Sequence, residues 1–280
     1  MSSLPTILLI HGAWHTRQNY ASFAAALRAR GFPVHCPLLP SCDELRSPRG
    51  SFADDVRAVR ELATKLVDSG ERILMVMHSY GGAVGTDAVQ GLEFPYTGSG
   101  SDPAADASRS EGSKAAGGVV HLLYLCAYML PPGMSLWDIV CEAGFDAIWD
   151  EHIEEASEDE SIFPIDPATM FFGGDETISK EVVEEGLKTL VRFPKGCISA
   201  RTAGDAWRSL PATYVLTNRD FAVPRVYQDN MLAKIRKEGV VLRMLDFDTC
   251  HSIFISREVE MVELAVEAAR DPRNVRNSLD

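Results

Sequence analysis

The chain has 280 residues, with 40 acidic side chains against 27 basic ones and a formal net charge of −13. That balance argues against nucleic acid or an anionic membrane as a partner, since both require basic patches, and it favours a neutral substrate over an anionic one. The length suits one α/β domain carrying an insertion, and it is enough to bury a core without a partner chain.

Met1-Ser2-Ser3-Leu4-Pro5 lacks the basic start of a secretory signal, and the apolar run behind it is too short for a signal core. No stretch is long enough to span a bilayer, so a cytoplasmic location is expected. The six cysteines form no C-x-x-C pair and no zinc-like spacing with histidine, so reduced thiols and no metal are expected. Cys250, beside His251, is the only one placed to matter chemically.

Apolar runs and helical spacings alternate along the chain, the signature of a parallel sheet. A strand over Thr6–His11 ends in His11-Gly12-Ala13-Trp14-His15, and Tyr20, Phe23, Ala24 and Leu27 then give a helix over Arg17–Arg30. A glycine-containing loop at a strand end can aim a backbone N–H at a reacting oxygen. A strand over Pro33–Cys36 and a helix over Phe52–Ser69 follow. The next strand, Ile73–His78, delivers Ser79 to a corner before the small residues Gly81 and Gly82 open a helix over Tyr80–Leu92. A serine at such a corner has its hydroxyl pushed out of the sheet, with the following N–H aimed at the same space. Met77 stands where the G-x-S-x-G pattern has its first glycine.

Residues 97–118 hold almost no apolar side chain and are expected to form a flexible surface loop. A strand over Val119–Ala127 follows, then a long insertion, 131–206, rich in large apolar side chains and with helical spacing at Val182, Val183, Gly186, Leu187, Leu190 and Val191. Its carboxylates from Asp150 to Glu160 read as a solvated face. The strand Thr213–Thr217 leads into a loop with Asp220 and then a helix over Arg225–Lys237. The strand Val240–Phe247 leads into a loop with His251 and a last helix over Arg257–Arg270. Ser79, Asp220 and His251 thus each follow a strand. Histidine can take the serine proton while a buried carboxylate fixes the imidazole tautomer, and the N–H groups of Ala13 and Tyr80 can hold an oxyanion. Asp246 and Asp248 are alternatives to Asp220, though too close to His251 in sequence to reach its far nitrogen easily.

In His11-Gly12-Ala13-Trp14, His78-Ser79-Tyr80-Gly81-Gly82, the Thr217–Pro224 segment and His251, the chain resembles the compact α/β-hydrolases that include plant methyl esterases and hydroxynitrile lyases, and most closely their fungal members. The resemblance runs from Thr6 to about Arg270. It implies an α/β fold with a mostly parallel sheet of about six strands, helices on both faces, and a helical cap over the carboxyl edge. It also implies no metal and no organic cofactor. Residues 1–130 and 207–280 are then the core, and 131–206 the cap. Lyases of this group carry a threonine after the first-loop histidine and a lysine after the catalytic one; here those positions are Gly12 and Ser252.

The expected activity is serine-dependent hydrolysis of a small to medium apolar ester, thioester or lactone through an acyl-enzyme. The alternatives are a lyase or C–C bond-cleaving enzyme using the same triad, or a small-molecule receptor that has lost turnover. The pocket is expected to draw on Gly12, Trp14, His15, His78, Trp137, Trp149, Phe171 and Phe172. The expected partners are a small-molecule substrate and at most a second copy of the chain, forming a homodimer.

Overall fold

The computed structural model describes residues 4–43, 48–95 and 116–273; the expected loop over 97–118 lies outside them except for its last three residues. Six strands form one parallel sheet: β1 (Thr6–Ile10), β2 (Val34–His35), β3 (Arg72–His78), β4 (Gly118–Leu125), β8 (Ala212–Thr217) and β9 (Arg243–Phe247), in the order β2-β1-β3-β4-β8-β9. The central strands read as unbroken apolar runs because both faces are covered. Ile7, Leu9, Leu74 and Val76 face α1 (Ala21–Ala29) and the last helix (Glu258–Arg270), whose Phe23, Leu27, Met261 and Ala265 share one core layer with them. Leu8, Ile10, Met75 and Met77 face the other layer, built with α2 (Phe52–Asp68), α3 (Gly81–Ala88) and α9 (Arg225–Lys237).

Local signals explain most boundaries. α2 begins where Ser51 and Asp54 close a capping box. The first helix starts later than its spacing suggests: Arg17–Tyr20 is a 3₁₀ turn capped by Thr16 and Asn19. β9, at the sheet edge, pairs with β8 alone and begins at Arg243, opposite Thr213, three residues later than its apolar run suggests. No helix among the described residues is long and apolar enough to cross a membrane.

β1 pairs with β2 on one side and β3 on the other, so the winding direction reverses there. A crevice opens at such a reversal, beyond the carboxyl ends of the strands. The chain between β4 and β8 lies over it. This stretch holds α4 (Leu136–Glu142), α5 (Trp149–His152), α6 (Pro167–Phe172), α7 (Lys180–Lys188) and α8 (Gly196–Ser199). It also holds an antiparallel sheet of β5 (Ile153–Ala156), β6 (Ser161–Pro164) and β7 (Phe193–Pro194). Those strands are two to four residues long, too short to reveal alternation, and the sequence pattern showed only helices. Backbone bonds tie the stretch to the sheet loops: Val191 N–H donates to Trp14 O at 2.8 Å and Ser252 N–H to Phe171 O at 3.0 Å. The Trp14 indole N–H donates to Ile162 O at 3.0 Å.

Candidate active site

β3 ends at His78, and Ser79 has φ +54°, a left-handed backbone that a serine adopts only where its surroundings impose it. The imposing contact is the start of α3 wedged against neighbouring strand ends. A Cβ at Gly81 would sit 2.5 Å from Ile10 O, and one at Gly82 2.6 Å from Tyr128 O. The missing glycine two residues before Ser79 is offset on α3. The Met77 thioether occupies the space over Gly85 that a side chain there would need.

Asp220 and His251 meet in the loops after β8 and β9. His251 Nδ1–H donates to Asp220 Oδ2 at 2.8 Å, and both side chains are buried. The Thr217 hydroxyl also donates to Oδ2, at 2.8 Å, while Ala222 and Val223 N–H donate to Oδ1 at 2.9 and 2.7 Å. Four donors therefore fix the carboxylate, and the neutral ring keeps its lone pair on Nε2. Asp246 is engaged by Asn218 and Arg225, and Asp248 by Arg219, all at the surface.

A cavity of about 600 Å³ opens over Ser79, Ala13, Tyr80 and Asp220. The backbone N–H groups of Ala13 and Tyr80 take part in none of the hydrogen bonds of the described residues. Two free donors beside the serine can receive a developing oxyanion. The first loop packs tightly against the serine: a Cβ at Gly12 would be 3.0 Å from Ser79 Cβ and 3.1 Å from His78 Nδ1.

Of the residues expected at the pocket, Trp14 and Trp149 line the cavity, whereas Gly12, His15, His78, Trp137, Phe171 and Phe172 do not. Gly12 presses on Ser79 from behind the cavity wall. His15 Nδ1–H bonds Ala13 O, and its ring packs edge-on against Phe171. His78 bonds Tyr20 and the His251 backbone. Trp137 stands edge-on behind Trp149 at 5.1 Å. Phe171 fills the space between Trp14, His15 and His251, and Phe172 packs over Gly186 of α7. Tyr128, Leu136, Val140, Val223 and Tyr227 line the cavity and were not expected there. The position of Tyr128, just past β4, was the available signal for one of them.

Beneath Tyr80 its phenol donates to Asp55 Oδ2 at 2.6 Å, and Ser41 N–H donates to Oδ1 at 2.9 Å. Burial pushes the Asp55 carboxyl up to about 6. In the sequence it reads only as an acidic residue in the first turn of α2.

Burial acts on the histidines in the other direction. It lowers His11 to about 4, His15 to about 3, His121 to about 4, and His78 well below its usual range. A histidine depressed in the fold contributes stability above its unfolded pKa and loses it as the pH falls through the folded one. Asp55, raised in the fold, contributes in the opposite sense, losing stability as the pH rises from 3.8 to about 6. Around pH 5 the unfolded chain therefore binds more protons than the folded one, so unfolding free energy should fall as the pH is lowered from about 6.5 toward about 4. Urea titrations at pH 4.5, 5.5 and 6.5, taken as approximate settings, check this; a flat profile would contradict the burial of these rings.

Among the described residues, His78, Cys126 and His251 form the one group with metal-ligand composition, its ligand atoms within 4.8 Å of one another. It is a poor cation site. His78 Nε2 already bonds His251 O, His251 Nδ1 bonds Asp220, and burial pushes the Cys126 thiol up, away from the thiolate a metal needs.

A sequence profile described as the alpha/beta hydrolase family matches residues 7–264. An alpha/beta hydrolase of Aspergillus novofumigatus, nvfD, is 26% identical over 227 residues, covering 81% of this chain and 82% of the relative. A pyrethroid hydrolase from Sphingobium faniae JZ-2 superposes with a TM-score of 0.67 at 19% identity, covering 96% of this chain and 98% of that one. A methylesterase from Arabidopsis, MES16, superposes with a TM-score of 0.66 at 17% identity, over 94% and 98% of the two chains. At these identities the two superpositions show the fold.

Proposed function

Since the chain belongs to the alpha/beta hydrolase family, we propose that it is a hydrolase that cleaves a neutral, largely apolar carboxylic ester, thioester or lactone through an acyl-enzyme. Ser79 Oγ attacks the carbonyl carbon as His251 Nε2 takes its proton. The oxyanion forms against the N–H groups of Ala13 and Tyr80. The imidazolium, steadied by Asp220, returns the proton to the leaving alcohol, thiol or lactone oxygen, and a water deprotonated by the same nitrogen then releases the acid.

The observation that carries this reading is the meeting, at one cavity, of a serine on a strained corner, two unengaged N–H groups, and a carboxylate already bonded to a histidine. A lyase reading has less support. Gly12 leaves no hydroxyl in the first loop, and Ser252 provides no ammonium to meet a cyanide leaving group. Hydrolysis of p-nitrophenyl esters of graded chain length, with intact-mass detection of an acyl adduct, tests the proposal. No turnover and no adduct across the series would refute it.

Trp149 is the cap aromatic that should read out substrate shape, because it lines the cavity beside Leu136, Val140 and Met170. Trp149→Ala should shift the preference between short and long acyl chains by about 1–3 kcal/mol in relative kcat/KM. Phe172→Ala should instead cost about 3–5 kcal/mol of stability and leave chain-length preference unchanged. Identical selectivity in the two variants would mean that the acyl chain lies elsewhere.

A further inference from the structure

Three buried hydrogen bonds run in series behind Ser79. Gly12 N–H lies 3.0 Å from Tyr20 Oη, Tyr20 Oη lies 2.6 Å from His78 Nδ1, and His78 Nε2 lies 3.0 Å from the His251 carbonyl oxygen. Tyr20 and His78 have no exposed surface. The direction of every proton follows from the ends of the chain. A carbonyl oxygen only accepts, so His78 Nε2 carries the hydrogen. Burial holds the ring neutral, so Nδ1 keeps its lone pair and the Tyr20 hydroxyl must donate to it. The Tyr20 oxygen is then free to accept Gly12 N–H, and no donor or acceptor in the series is left over.

We propose that Tyr20 and His78 are positioning residues, a relay that locks the loop of Ala13, the nucleophile corner and the loop of His251 into one register. The proposal rests on the acyl-transfer reading above, in which those three segments supply an oxyanion donor, the nucleophile and the base. None of the three is tied to another by strand pairing beyond β1 and β3, and the loop after β9 comes from the far edge of the sheet. The relay supplies the missing tie. The Cys126 thiol donates to the same His251 oxygen at 3.4 Å, so that carbonyl is held from two sides. Phe254, stacked on the Tyr20 ring with centroids 4.1 Å apart, keeps the phenol in line. The neutral state also has a chemical consequence. The His78 and His251 rings lie 4.5 Å apart, and a charged His78 would repel the imidazolium that His251 becomes during turnover.

The test is Tyr20→Phe, which keeps the ring and its stack and removes only the hydroxyl, beside Tyr124→Phe, which removes a buried hydroxyl bonded to Thr86 of α3 at 2.7 Å. Both should lower the melting temperature modestly. Only Tyr20→Phe should slow labelling of Ser79 by a fluorophosphonate and lower kcat, by about 10- to 100-fold, with KM within about twofold, as expected for small misplacement of reacting groups. His78→Gln, whose amide can accept from Tyr20 and donate to the His251 carbonyl, should retain more activity than His78→Leu. Imidazole ¹⁵N spectra read the relay without turnover: native His78 should be the neutral Nε2–H tautomer between about pH 5 and 8, and the Nδ1 signal should move in Tyr20→Phe. Equal labelling rates for native protein and Tyr20→Phe, or a His78 that titrates in that range, would overturn the relay. A native protein with the expected His78 spectrum but no label on Ser79 would instead overturn the acyl-transfer reading.

Discussion

Ser79→Ala is expected to abolish turnover, by on the order of 10⁶ in kcat, and to abolish labelling by a serine-directed fluorophosphonate while the protein stays folded. The loss should be this large because the Ser79 hydroxyl is the group that bonds to the acyl carbon in the proposed reaction, and alanine offers no nucleophile in its place. Ser79, on its left-handed corner, lines the cavity together with Ala13 and Tyr80, whose N–H groups are unengaged, and Tyr80 spends its hydroxyl on Asp55. Folding should survive because the corner is enforced by what surrounds it. Gly81 and Gly82 sit against the ends of β1 and β4, Ser79 O accepts from Gly82 and Tyr128 N–H at 3.0 and 2.9 Å, and none of these contacts uses the hydroxyl. Alanine in a left-handed backbone is no more strained than serine. Labelling that persists in Ser79→Ala, traced by peptide mass to another residue, would show that the nucleophile has been misidentified.

The parts of the fold legible in the sequence are those where local chemistry and tertiary environment agree. The central strands are runs such as Ile7–Ile10 and Ile73–Met77, buried on both faces, so composition alone marks them. The edges are harder. β2 is two residues long, and Val241, expected in a strand, is 70% exposed and lies before the ladder begins. The insertion resisted reading for a different reason. Its short strands are held by pairing with one another and by Trp14 and Val191, contacts that local periodicity does not encode. The same distinction holds at the site. Ser79, Asp220 and His251 each follow a strand, and position in an α/β sheet points to them before any geometry is known. Which aromatics line the cavity depends on side-chain direction. Trp137 and Trp149 looked alike in the sequence, yet one backs the other, and Phe171, expected to face substrate, packs among Trp14, His15 and His251. Asp55 and Tyr20, which brace the site from beneath, carried no signal because a helix-start acid and a buried tyrosine are common in any such fold.

Asp220→Asn is expected to cost about 10⁴ in kcat, the order of loss seen when the base is held in the wrong tautomer. The surroundings of Asp220 dictate how an amide would sit. Ala222 and Val223 N–H both point at Oδ1, so the amide oxygen must take that position and the NH₂ must take the place of Oδ2. There it meets His251 Nδ1–H, donor against donor. The ring escapes by moving its proton to Nε2, so that Nδ1 accepts from the amide, and an Nε2 that carries a proton cannot accept one from Ser79. The Thr217 hydroxyl, the other donor on Oδ2, can rotate and accept from the NH₂, so the side chain stays in place. Expression and folding should therefore be retained while the chemistry is lost. Asp246→Asn and Asp248→Asn should each cost less than about threefold, because their partners Arg225 and Arg219 hold them in exposed ion pairs of small energetic weight. The measurement is kcat for the three variants on one ester above its KM, with circular dichroism to confirm the fold. Should Asp246→Asn or Asp248→Asn prove the most damaging, the carboxylate that orients His251 during turnover is not the one bonded to it here.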